Sequence, residues 1–133
     1  MASNTYDIIT VGGGLGGAAL AKAMAEHGAR VLVVERETQF KDRIRGENFA
    51  PWGVAETQTL GFYDLLRATC ARESARFGVY TDPAFQEPRD LIATTPQRLS
   101  LLTFYHLVMQ EALLQAAIDA GAEVCRGASA RFI

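Results

Sequence analysis

The chain has 133 residues, of which 49% are hydrophobic and 21% charged, and 13 basic and 15 acidic residues give a net charge of −2. This composition is that of one compact globular domain and argues against intrinsic disorder and against two large domains. The slight acidic excess argues against a nucleic-acid partner. No apolar run approaches the roughly 20 residues of a membrane span, so no membrane partner is expected.

The N-terminus and the cysteines indicate a cytoplasmic protein. The first residues lack the basic region of a secretory signal. Cys70 and Cys125 have neither metal-ligand spacing nor the pattern of a disulfide framework. We therefore expect no metal site and a reduced, cytoplasmic setting.

The first 36 residues predict a strand, a glycine turn, a helix and a second strand. Residues 6–11 form a short run rich in β-branched side chains, which favours a buried strand. Leu15–His27 is rich in alanine, leucine and methionine and predicts a helix that Gly28 ends. Residues 31–35 contain an unbroken apolar run, which is typical of a strand covered on both faces of a parallel sheet.

The remaining segments complete the predicted fold. Helices are predicted at Pro51–Thr59, Phe62–Ala71 and Ser100–Ala120, strands at Arg76–Thr81 and Asp90–Thr95, and a third parallel strand near 122–126. Together they predict an α/β fold: a Rossmann-like parallel sheet from strands near 6–11, 31–35 and 122–126, with flanking helices and right-handed crossovers. The third strand is expected beside the first, and a small antiparallel ribbon is expected near 76–95. We expect the whole range 1–133 to be one domain, without a second.

The glycine motif carries the chemical signal. Gly12, Gly14 and Gly17 form the pattern G-x-G-x-x-G between the first strand and the first helix. Gly12 permits a tight turn, Gly14 lets the backbone approach a diphosphate, and Gly17 lets the helix pack closely on the strand. Leu15 and Gly16 lie at the helix N-terminus, where unpaired N–H groups and the positive end of the helix dipole attract phosphate.

Glu35 ends the second strand, 18 residues after Gly17. There its carboxylate can accept hydrogen bonds from both ribose hydroxyls of an adenosine, and it repels a 2′-phosphate. This favours FAD or NAD over NADP, although the adjacent Arg36 leaves NADP open at this stage. Alternatively, the glycines form a simple turn and Glu35 a solvated strand end.

Two later segments carry a family resemblance. Residues 43–53, Arg-Ile-Arg-Gly-Glu-Asn-Phe-Ala-Pro-Trp-Gly, and Leu60–Leu66 resemble the N-terminal part of FAD-dependent aromatic hydroxylases of the para-hydroxybenzoate hydroxylase type. The resemblance implies that Arg45 reaches the FAD diphosphate and that Arg43 lies toward the adenosine, where guanidinium groups bind phosphate oxygens well. The alternative is a solvated basic face. The resemblance also implies that His106, where the family often has glutamine or arginine, contacts FAD, and that Ala130 meets the adenine edge.

The resemblance implies the FAD-binding segment of a monooxygenase that uses NAD(P)H and dioxygen to hydroxylate an aromatic small molecule. The family's later Asp-Gly and Gly-Asp segments and its substrate-binding sheet have no counterpart here, so an incomplete FAD-binding domain is expected, and catalytic residues are not identified. The alternatives are an NAD-dependent dehydrogenase domain, a flavin-dependent halogenase, and a non-catalytic fragment or interaction module. Self-association through an unfinished sheet edge is a further expectation.

Overall fold

A computed structural model describes residues 5–43, 46–81, 84–85 and 87–131 of the chain. The helices are α1 (Leu15–Glu26), α2 (Pro51–Thr59), α3 (Tyr63–Thr69), α4 (Leu91–Thr94) and α5 (His106–Asp119). The strands are β1 (Ile8–Val11), β2 (Val31–Glu35), β3 (Asn48–Phe49), β4 (Ala71–Ser74), β5 (Arg76–Phe77), β6 (Tyr80–Thr81), β7 (Ala84–Phe85), β8 (Arg89–Asp90), β9 (Leu101–Phe104) and β10 (Glu123–Arg126).

The chain divides into two compact units. The first combines Met1–Ile44 with Leu107–Ile133, and the second is Arg45–His106. The first unit contains the predicted parallel sheet and α1, so the α/β class is confirmed. None of the helices in the described ranges has the length and apolar character that a membrane crossing requires.

The parallel sheet has the strand order β1-β2-β10, with β2 in the centre. The third strand therefore lies beside the second strand, and the prediction that it pairs with the first is wrong. β10 runs in register along β2, from Glu123 opposite Leu32 to Arg126 opposite Glu35. The physical reason lies in β2, whose apolar run is suited to a central strand, with Val31 and Val33 no more than 1% exposed.

One face of this sheet is packed against small side chains. Helix α1 contacts β1 and β2 and buries Ala18, Ala21 and Ala25. Helix α5, in turn, buries larger residues, among them Leu113 and Leu114. As predicted, the first helix starts at Leu15; it ends at Glu26, with His27 as the C-cap and Gly28 at a φ of +83°.

The second unit is built on an antiparallel sheet that the sequence analysis did not predict. Its order is β3-β9-β4, and β9 pairs with both neighbours. The predicted helix over Ser100–Ala120 is wrong at its start, because Leu101–Phe104 forms β9 and α5 begins at His106. A short apolar run suits a buried strand as well as a helix, and only its partners decide between them.

Two further predictions in this unit need correction. The helix expected over Phe62–Ala71 ends at Thr69, and Ala71 starts β4 against β9. The strand expected over Asp90–Thr95 is reduced to β8, because the Asp90 carboxylate accepts a hydrogen bond from the Ala93 N–H at 2.9 Å and caps α4. The antiparallel ribbon is confirmed in outline, because β5 pairs with β8 and β6 with β7.

Leu114→Ala tests the packing of the first unit. Leu114 is fully buried, so its truncation is expected to lower the free energy of unfolding by about 2–5 kcal/mol through lost apolar burial and a cavity. The matched control is Ile118→Ala in the same helix, since Ile118 is 41% exposed. Urea denaturation of both variants measures the difference, and equal losses would contradict this packing.

Candidate functional site

The backbone of the glycine turn requires glycine at two positions, Gly12 and Gly17. The Gly12 N–H donates to the Val34 carbonyl oxygen at 2.8 Å, and Gly12 has a φ of +104°, a conformation that L side chains rarely adopt. At Gly17, an added Cβ would lie 1.9 Å from the Gly12 carbonyl oxygen. Only a hydrogen fits between α1 and the turn at this point, so Gly17 has the close packing that its place in the motif requires.

Helix α1 presents its N-terminus without a capping side chain. Gly14 is the N-cap in an extended conformation and makes no side-chain cap hydrogen bond. The first N–H groups of a helix have no partner within it and carry the positive end of the dipole. Leu15 is 42% exposed, and a Cβ at Gly16 would meet nothing within 4 Å. The helix N-terminus therefore has open space beside Gly16, N–H groups without a partner inside the helix and no capping side chain. These features fit a diphosphate.

Glu35 joins the end of β2 to the glycine turn. Its side chain is buried, with Oε2 accepting the Gly13 N–H at 2.6 Å and Oε1 accepting the Glu37 N–H at 2.8 Å. A carboxylate has about four acceptor positions, so each oxygen retains capacity for a ribose hydroxyl. The sequence predicts that the Glu35 carboxylate binds a ligand, but it does not predict the hydrogen bond from the Gly13 N–H.

The cations after β2 gather around an acidic residue that the sequence analysis missed. The Glu37 carboxylate pairs with Lys41 Nζ at 3.0 Å, Arg43 Nη2 at 3.3 Å and Arg36 Nε at 3.6 Å. The Lys41 ammonium, assisted by Arg36 and Arg43, holds the pKa of the Glu37 carboxyl below its usual range. These pairs are therefore present at neutral pH and are lost as the pH falls through that lowered pKa. The signal in the sequence is local, because all three cations lie within six residues of Glu37.

Three other predicted site residues remain: Arg45, His106 and Ala130. Arg45 is outside the described residues. His106 is half-buried at the first position of α5 and belongs to the second unit; its Nδ1 is buried without a hydrogen-bond partner in the described part of the chain. Ala130 is exposed after β10 in the first unit. Among the residues described, no cluster of His, Cys, Asp and Glu could hold a metal ion, and both cysteines are free thiols.

Comparisons with known proteins agree with this geometry. The sequence model of the FAD binding domain family matches residues 5–131. Squalene epoxidase 5 of Arabidopsis thaliana is 42% identical over 76 residues, which cover 57% of this chain and 15% of that protein. The match therefore covers less than a fifth of the length of this curated relative.

Solved structures share the fold. PqsL of P. aeruginosa, solved in complex with 2-aminobenzoylacetate, has a TM-score of 0.79 at 21% identity, over 93% of this chain and 34% of that one. Aklavinone-11 hydroxylase, solved with FAD and aklavinone, has a TM-score of 0.72 at 25% identity, over 96% of this chain and 26% of that one. Because PqsL is only 21% identical to this chain, its similarity supports the fold alone.

Gly17→Ala tests the close approach in the glycine turn. The added methyl group meets backbone, which cannot rotate away, so we expect a loss of about 1–3 kcal/mol in the free energy of unfolding. Gly16→Ala is the matched control, because its Cβ enters open space and alanine favours a helix by about 1 kcal/mol over glycine. Thermal unfolding without added nucleotide measures both, and a Gly17→Ala variant as stable as Gly16→Ala would overturn the packing argument.

Proposed function

This chain belongs to the FAD binding domain family, and we propose that it supplies the FAD-binding part of a flavin-dependent monooxygenase. The observation that carries the proposal is the uncapped N-terminus of α1, placed beside the carboxyl end of β2 where Glu35 hydrogen-bonds to Gly13. FAD is the cofactor of this family. The family match decides between the flavin and the nicotinamide nucleotide that the glycine motif leaves open.

The proposed contacts follow from the chemistry of the residues. The backbone around Gly12, Gly14, Leu15, Gly16 and Gly17 binds the diphosphate of FAD, and the carboxylate of Glu35 binds the ribose hydroxyls. Arg36 follows Glu35 directly, and both Arg36 and Arg43 pair with the Glu37 carboxylate. We assign their guanidinium groups to binding the negatively charged phosphates of the adenosine diphosphate part of FAD. Arg45, His106 and Ala130 stay predictions from the resemblance.

The proposed reaction is hydroxylation of an aromatic small molecule with NAD(P)H and dioxygen. Bound FAD supplies the electron transfer and the oxygen chemistry, while the protein binds and orients it and limits the access of water. The likeness to aklavinone-11 hydroxylase supports this reaction class. The match to squalene epoxidase 5 favours a second candidate, epoxidation of an isoprenoid alkene with the same cofactor. A cytoplasmic location and self-association through an unfinished sheet edge also stay predictions.

Visible absorbance tests the cofactor assignment. The purified chain is mixed with FAD, freed of unbound flavin by gel filtration, and scanned for the flavin band. Retained absorbance supports the proposal; a colourless chain that binds NAD in a parallel titration would overturn it in favour of a dehydrogenase-type domain. Oxidation of NAD(P)H in the presence of phenols or of squalene then separates the two substrate classes.

Gly14→Val tests the diphosphate contact. A Cβ at Gly14 meets only Gln110 Nε2, at 3.6 Å, so the fold should tolerate a side chain that blocks the phosphate's approach. We expect loss of FAD binding with little change in thermal stability. Leu20→Val, in the exposed part of the same helix, is the control and should bind FAD normally. Unchanged affinity in Gly14→Val would contradict the assignment.

Glu35→Ala tests the carboxylate that is proposed to bind the ribose and that also holds the glycine turn. Removal of a charged acceptor is expected to weaken FAD binding by roughly 1.5–3 kcal/mol, measured by quenching of flavin fluorescence. The control is Glu123→Ala, which removes an acidic side chain from the opposite, amino end of the parallel sheet. Equal FAD affinity in the two variants would mean that the adenosine lies elsewhere.

A further inference from the structure

Arg126 connects three parts of the first unit. It is the last residue of β10, and its guanidinium forms a two-point ion pair with the α5 residue Glu111, Nη1 to Oε1 at 3.2 Å and Nη2 to Oε2 at 2.5 Å. Nη1 also donates to the carbonyl oxygen of Thr38 at 3.3 Å. The guanidinium carbon lies 4.8 Å from the centroid of the Phe40 ring, which is a cation–π contact.

The residues that follow Arg126 contact the same loop. Gly127 has a φ of +75°, and a Cβ there would lie 3.1 Å from Thr38 Cγ2. The Ala128 N–H donates to the carbonyl oxygen of Glu35 at 3.2 Å. Backbone and side-chain contacts therefore join the carboxyl end of β10 to the loop of residues 36–43.

This loop carries two of the proposed FAD contacts. It begins after Glu35 and includes Arg36 and Arg43, both paired with Glu37. In a parallel sheet, nucleotides bind beyond the carboxyl ends of the strands, where this loop starts. A long, exposed loop loses conformational freedom when it binds a ligand, and a contact that holds it beforehand reduces this loss.

We propose that Arg126 is a positioning residue that fixes the 36–43 loop for FAD binding, which rests on the FAD-binding function proposed above. Arg126 lies opposite Glu35 in the parallel sheet, and its guanidinium contacts Thr38, Phe40 and Glu111. It acts through Thr38 and Phe40, and its pairing with Glu111 holds the guanidinium in place. Arginine suits this task because one planar group can pair with a carboxylate, donate to a carbonyl and stack on a ring.

The test compares Arg126→Met with Arg30→Met. Methionine keeps much of the aliphatic stem and removes the charge and the donors. Arg30 pairs with Asp7 and Thr5 at the amino end of the sheet, so the control loses an arginine ion pair, more exposed than that of Arg126, away from the loop. Each variant also loses one trypsin site, which keeps their digestion patterns comparable.

The first measurement is native trypsin digestion without FAD, followed by mass spectrometry of products cut after Arg36, Lys41 or Arg43. Release of the loop should speed these cuts several-fold in Arg126→Met but not in Arg30→Met. The second is the FAD Kd, which should rise roughly tenfold in Arg126→Met alone. Arg126→Lys should restore part of both, because it keeps the cation near Phe40 and Glu111.

The outcomes separate this inference from the function on which it rests. Equal loop cleavage in Arg126→Met and Arg30→Met overturns the positioning role, whether or not FAD binds. Faster cleavage with an unchanged FAD Kd overturns its connection to the cofactor. Failure of the unaltered chain to bind FAD counts against the proposed function, and the cleavage comparison still decides whether Arg126 holds the loop.

Discussion

The hydrogen bond from the Gly13 N–H to the buried Glu35 carboxylate is the contact on which the candidate site depends. A carboxylate that is only 6% exposed is costly unless its oxygens are hydrogen-bonded, and here two backbone N–H groups satisfy it. The same bond satisfies a backbone donor in a tight turn. The end of β2 and the conformation of the glycine turn therefore fix each other.

Small residues then set where the helix N-terminus lies. Gly17 approaches the Gly12 carbonyl too closely for any side chain, and three alanines along α1 face the sheet. Because these residues bring α1 close to β1 and β2, the N–H groups of its first turn lie at the carboxyl end of the sheet. The position of an anion site is thus determined by packing along the helix as much as by the residues that face the anion.

The parts of this structure that follow from local sequence are predictable, and those that depend on distant pairing are not. The glycine spacing and the end of α1 near Gly28 could be read from neighbouring residues. The order of the parallel strands could not be predicted in this way, because it depends on whether β10 pairs with β1 or with β2. Leu101–Phe104 was misassigned for the same reason, since its partners β3 and β4 lie far away in the chain.

The site residues divide in the same way. Glu35 is recognisable from its place after an apolar strand, whereas its bond to Gly13 spans 22 residues and has no local signal. Glu37 lies within six residues of its three cationic partners, so its ion pairs are local in the sequence. Arg126 is 88 residues from Thr38, and nothing in its own segment distinguishes it from a solvated strand end.

The charges of the 36–43 loop are consistent with the phosphate contacts proposed for it in an acidic chain. The loop holds three basic and two acidic residues within a chain of net charge −2. The Glu37 carboxylate offsets the repulsion among the three cations. The side chains of Arg36 and Lys41 are still 66% and 65% exposed, so both can also interact with a phosphate. Attraction of this kind is short-ranged at physiological salt, where screening acts within about 8 Å. In the proposed site, specific placement of the loop, rather than the field of the whole protein, must therefore provide the affinity for an anionic cofactor.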